Sequence, residues 1–142
     1  MKIAEGYDVK IGVFDIETLA GCFDVGIYDP DSKVWYEYQI TKYKNDLYSL
    51  LEMYTSNRFD YWVSFNGVEF DHQVLEYIVE NHEKWIDLSN LEIVNEIYEF
   101  VQMHIDNKKY DIRSPYTEFK FQVRPIDLFK IHHFDNEARM TS

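Results

Sequence analysis

The chain has one cysteine, three prolines and five glycines in 142 residues. A lone Cys22 cannot close an internal disulfide and reads as a small core residue. So little Pro and Gly excludes a low-complexity or linker-dominated chain. No apolar run approaches the roughly 18 residues that span a membrane. The N-terminal "MKIAEGYDVK" lacks the apolar stretch of an export signal, so a reducing cytoplasm is the expected compartment. Positive charge is also scarce: 14 Lys and Arg stand against 26 Asp and Glu, a net of −12. That excludes a simple electrostatic nucleic-acid binder, which needs a basic face.

Aromatic and apolar residues are abundant. The chain is 46% hydrophobic and 18% aromatic, enough for the core of one ordinary domain. Its charge is uneven. Residues 1–107 carry 21 acids and 7 bases, whereas residues 108–142 carry 7 bases and 5 acids. The basic stretch "KKYDIRSPYTEFKFQVR" reads either as a solvated loop or as an edge that contacts phosphates.

Hydrophobic periodicity orders the elements. "VKIGVFDIE" (9–17) reads as a first strand, buried on both faces. "FDVGIYDP" (23–30) and "KVWYEYQI" (33–40) flank a turn-rich Asp29-Pro30-Asp31-Ser32 and read as an antiparallel hairpin. Residues 45–57 have helical spacing, 59–65 read as a short strand, and a helix starts near Phe70. Ser89-Asn90-Leu91-Glu92 fits a capping box ahead of a long amphipathic helix from Asn90 to Ile105. Residues 120–129 read as a last strand, with Pro125 pointing to an edge or a bulge. A hairpin followed by strand–helix–strand crossovers predicts an α/β domain: a ribonuclease H-like mixed sheet with helices on its faces.

Two acids interrupt the first strand, in "GVFDIET". Asp15 and Glu17 are two residues apart, so they share a face about 7 Å apart. They lie near the strand's C-terminal end, where open α/β sheets place their sites. Carboxylates this close repel, and a divalent cation with oxygen ligands removes the repulsion. The plainer alternative is an edge strand with two solvated acids. A second group follows the next strand, in "SFNGVEFDHQVLEYI". Asn66-Gly67 marks a turn, and Asp71 falls in the first turn of a helix, where the dipole alone favours an acid. If that strand lies beside the first, Asp71 hangs over the rim that holds Asp15 and Glu17.

On these residues the chain resembles the DEDD-type 3′–5′ exonucleases, and most of all the proofreading domains of B-family DNA polymerases and their phage relatives. "FDIET" and "SFNGVEFD" look like the first two motifs, and "RPIDLFKIHH" resembles the strand before the last, with Asp127 in it. The resemblance implies phosphodiester hydrolysis on single-stranded DNA with two ions of Mg²⁺ or Mn²⁺, in the host cytoplasm for a phage-encoded chain. It implies that Asp15 bridges both ions, Glu17 holds the nucleophile-side ion and Asp71 the second. It implies substrate contacts from Asn66, Thr18, Phe70, Lys120 and Arg124, with core the first reading of Phe70. Phe65 and Tyr61 read as core.

One part of the pattern is missing. The family needs a fourth acid in a Tyr-x3-Asp or His-x4-Asp motif, and none follows Asp127; Asp135 comes too early. The expectation is therefore an exonuclease domain cut short, weak or inactive alone, with a downstream domain or partner chain supplying the fourth acid. The alternatives are a non-catalytic binding or assembly module of a replication protein or split enzyme, and a different ribonuclease H-like nuclease. The histidines carry no ligand spacing: His72 reads as a helix-surface residue, His82 and His104 fall at helix ends, and the neighbours His132 and His133 face opposite ways.

Overall fold

The computed structural model describes residues 2–4 and 7–131. Strands β1 (Lys2–Ala4) and β2 (Tyr7–Asp8) form a two-stranded sheet of their own. The main sheet has six strands: β3 (Ile11–Leu19), β4 (Cys22–Asp29), β5 (Val34–Thr41), β6 (Lys44–Asn45), β7 (Tyr61–Ser64) and β8 (Pro125–Asp127). Their order is β6-β5-β4-β3-β7-β8. β3 to β6 make an antiparallel meander, and β7 and β8 join it parallel to β3. Three helices complete the α/β fold: α1 (Leu47–Thr55), α2 (Asp71–Asn81) and α3 (Asn90–Lys109).

Local chemistry sets most of these boundaries. At the β4–β5 turn the Asp29 side chain accepts from the Asp31 N–H at 3.0 Å, and Lys33 takes the left-handed conformation that closes it. Ser89 accepts from the Glu92 N–H while the Glu92 side chain accepts from the Ser89 N–H, which is the expected capping box. Pro125 opens an edge strand, as expected. That strand is three residues long rather than ten, because the chain around it is claimed elsewhere. Glu118–Lys120 forms a 3-10 turn, the Gln122 N–H donates to Glu76, and Asp127 turns the chain by accepting from the Phe129 N–H at 3.0 Å.

One core sits between the sheet and the helices. Phe14, Ile16, Phe23, Val25 and Ile27 meet Leu50 and Tyr54 of α1, Leu75 and Ile78 of α2, and Val94 and Ile97 of α3. Trp62 stands at its centre, with ring centroids 5.2 Å from Phe14 and 5.1 Å from Tyr54. An aromatic buried this deeply costs about 3–5 kcal/mol to replace with alanine.

All three helices contribute to the same core. Two expectations are corrected by this. The helices do not divide between the two faces among the described residues, and β3 is not buried on both faces. Gly12, Phe14 and Ile16 are buried, whereas Val13, Asp15 and Glu17 between them are exposed. The two acids therefore need no burial inside an apolar strand; they stand on its open face.

Candidate metal site at the sheet rim

β7 lies beside β3 in parallel, with Ile11 level with Tyr61 and Val13 level with Val63. The turn that leaves β7 therefore rises over the end of β3 that carries Asp15 and Glu17. Asn66 adopts φ 62°, and Gly67 has no room for a side chain: a Cβ there would come 2.0 Å from Ser64 Oγ. The Asn-Gly pair thus supplies a left-handed residue and then a close approach.

The turn is fastened from several sides. Asp127, only 6% exposed, accepts from the backbone N–H groups of Asn66 at 2.7 Å and Val68 at 3.2 Å. Gln73 donates to the carbonyls of Val68 at 2.9 Å and Tyr116 at 2.7 Å, and accepts from the Tyr116 N–H at 3.0 Å. Glu69 pairs with Lys108 and accepts from Ser114 at 2.7 Å. Against the push of burial, these two partners hold its carboxyl below the usual range. His104 is buried against the Glu69 carbonyl rather than placed at a helix end.

This frame delivers Asp71 to β3. Its side chain, 6% exposed, takes a hydrogen bond from the Ile16 backbone N–H and feels the charges of Asp15 and Asp127. Burial first, and then those two charges, push its carboxyl up to about 7. The helix dipole alone predicts an ordinary or lowered value. A buried carboxyl next to another carboxylate is the electrostatic signature of an acid–base or cation site.

Glu17 lies two residues farther along β3, exposed and directly opposite Asp24. The Asp24 carboxylate facing Glu37 on β5 raises the Glu37 pKa. The open face of β3, β4 and β5 therefore carries four acids, and like charges opposed across strands destabilise the pairing. Sequence reasoning missed Asp24 and Glu37. The two-residue alternation along the hairpin held the signal, once the register set by the Asp29–Ser32 turn was applied. Among the described residues no three Asp, Glu, His or Cys side chains lie close enough together to hold a metal ion. Asp71 lies within the field of Asp15, and Glu17 does not complete a cluster with them.

The other expected site residues scatter. Asn66 is exposed on the turn, and Phe70 is half-buried against the core and 5.9 Å from the His104 ring. Thr18 is half-buried at the end of β3 opposite Phe23. Lys120 is exposed beside α2, lining a hollow with Glu76 and Glu80. Arg124 immediately precedes β8, level with Tyr61 and Ile11, and so about 13 Å down the strands from Asp15. A cavity of about 740 Å³ opens at that far end between Phe59, Phe119 and Arg124, and neither Asp15 nor Asp71 lines it. Phe65 is 64% exposed, in edge contact with Phe129, rather than core; Tyr61 is half-buried. His72 is fully buried rather than on the helix surface. His132, His133 and Asp135 lie outside the described residues.

Comparison with family models, curated proteins and solved structures finds no match. Among the described residues no helix is long and apolar enough to cross a membrane.

Proposed function

We propose that the rim of β3 and α2 is the acidic part of a metal-dependent nuclease site. Its reaction class is phosphodiester hydrolysis of the 3′–5′ exonuclease type on single-stranded nucleic acid, DNA by the family resemblance. The observation that carries this reading is the burial of Asp71 at a helix start within the field of Asp15, which stands on the open face of the central strand. The ribonuclease H-like reading draws support from the meander β3-β4-β5 joined by crossovers to parallel β7 and β8.

The donor set fits a hard divalent cation. Asp15 and Asp71 offer only oxygen, and their mutual repulsion falls when a cation sits between them. Such an ion supplies an activated water and stabilises the leaving oxygen. The chain's own part is to hold the two carboxylates and to control a proton. Asp71, raised to about 7, is partly protonated at neutrality. Cation binding displaces that proton, so affinity rises with pH through this range. Glu17, next along the same face, would help to hold a second ion. Among the described residues only Asp71 and Asp15 come under each other's influence and no three carboxylates cluster, so weak cleavage is the activity expected from these residues by themselves. A second reading, a non-catalytic module of the same fold, draws on the absence of a three-carboxylate cluster among the described residues.

Thermal melting with and without Mn²⁺ tests the first reading by linkage. The wild-type chain gains stability with Mn²⁺ and Asp15→Ala does not. No gain in wild type, or an equal gain in Asp15→Ala, rejects the metal site and leaves the module. An assay of 5′- and 3′-labelled single strands with Mn²⁺ then reads polarity. Robust cleavage by this chain would show that the fourth acid is not needed from elsewhere.

A further inference from the structure

A row of buried polar side chains crosses the core beneath the acidic rim, and the proposed chemistry does not use it. His72 is fully buried, stacked on Phe121 at 5.0 Å and edge-on to Phe14 at 4.8 Å. Its Nδ1 lies 3.1 Å from the Tyr54 hydroxyl. That hydroxyl also faces the buried carboxyl of Glu76, and each group shifts the proton affinity of the other. At the other end, His72 Nε2 and Ser64 Oγ are both buried and have no partner among the described residues. They face each other across Gly67, where a Cβ would lie 2.0 Å from Ser64 Oγ and 3.5 Å from His72 Cδ2. Two buried polar atoms left alone at one place are costly unless they are joined.

The order of protons along this row follows from chemistry. A tyrosine hydroxyl has one proton to give, so Tyr54 donates to Glu76 or to His72, never to both. Burial holds Tyr54 protonated far above its ordinary range and pushes His72 down to about 3, so both stay neutral through physiological pH. Glu76, raised by burial to about 7, is the member that changes charge. When Glu76 is ionised it accepts from Tyr54. The Tyr54 oxygen then accepts from the His72 Nδ1–H, and Nε2 is left to accept from Ser64. When Glu76 is protonated it donates to Tyr54, Tyr54 donates to Nδ1, and the ring proton sits on Nε2, aimed at Ser64. The net change is uptake of one proton, which ends on Glu76, and the ring's own proton count is constant. The charged and titratable groups around Glu76 are Glu80 on its own helix and Tyr116 and Lys120 from the segment packed over it. The Gln122 backbone N–H also donates to it.

We infer that Glu76, Tyr54, His72 and Ser64 form one proton-ordered chain of hydrogen bonds, closed at Ser64 directly or through one buried water, and that it makes His72 a positioning residue for the turn that carries Asp71. The inference is independent of whether the rim binds a metal.

Nitrogen NMR of the full chain tests it, reading His72 Nδ1 and Nε2 from pH 5 to 9 in wild type and in Asp71→Asn, which removes the nearby acid that titrates in the same range. The expected result is a ring that stays neutral and passes from the Nε2–H to the Nδ1–H form near pH 7. The backbone amides from Gly67 to His72 shift with the same midpoint. Glu76→Gln holds the ring in one tautomer at every pH and abolishes the amide titration. Tyr54→Phe does the same, and serves where Glu76→Gln does not fold. A ring that keeps one tautomer in wild type, a ring that becomes charged, or a switch that survives either variant overturns the inference.

Discussion

The raised carboxyl of Asp71 makes a quantitative claim about stability. Its value moves from 3.8 to about 7 on folding, so the folded state binds the proton more tightly than the unfolded chain. Stability from this group is therefore intact below the unfolded value, falls as pH rises from there to about 7, and is flat above. One pKa unit is about 1.4 kcal/mol, so the full penalty is about 4 kcal/mol, and about 3 kcal/mol of it accrues between pH 5 and pH 8. Asp71→Asn keeps the shape and an oxygen for the Ile16 N–H but carries no charge. Glu76 titrates in the same range, yet it is present in both proteins and cancels from their difference. Urea unfolding in EDTA, followed by tryptophan fluorescence, should show Asp71→Asn more stable than wild type at pH 8. The gap should shrink by about 3 kcal/mol at pH 5. A gap independent of pH would mean that Asp71 ionises freely in the folded protein, and the crowding of Asp71 by burial and by Asp15 would be refuted. Excess Mn²⁺ at pH 8 should narrow or reverse the gap, because it stabilises only the chain with both carboxylates.

Two further perturbations address the frame. Asp127→Ala strands the backbone N–H groups of Asn66, Val68 and Phe129, and a loss of about 3 kcal/mol in urea unfolding is expected; a loss under 1 kcal/mol would mean that the turn is held without it. Gly67→Ala drives a methyl into Ser64, at an expected cost of about 1–3 kcal/mol. Ser64→Gly in the same chain should recover part of that loss, since both the Oγ and the Cβ of Ser64 are in the way; equal stability of the single and double variants would show that the clash is relieved elsewhere.

Several features could be read along the chain because their causes are local. The Asp29 turn, the Asn66-Gly67 turn, the Ser89 capping box and the pairing of β4 with β5 each depend on residues a few positions apart. The placing of Asp15 and Glu17 on one face needed only the two-residue repeat of a strand. The adjacency of β7 to β3 is an assumption of that reading, and the parallel pairing of the two strands meets it. It brought Asp71 to the correct rim, although the three-acid cluster expected there is not assembled among the described residues.

What could not be read depends on which surfaces meet. The apolar run around Asp15 has the composition of a strand buried on both faces, but among the described residues helices cover one face, and Val13 and the acids stand exposed on the other. Phe65 and His72 exchange the places expected of them, because β7 ends before Phe65 and the first turn of α2 faces inward. The carboxylate that holds the Asn66 turn comes from Asp127, 61 residues away. Nothing in the local pattern around Asp127 distinguishes a strand acid aimed at water from one that accepts three backbone N–H groups. Periodicity along this chain determined the elements and the faces on which the acids stand. The packing of α2 against β3 decided which acid is buried, and burial in a low-dielectric contact gives Asp71 its altered proton affinity.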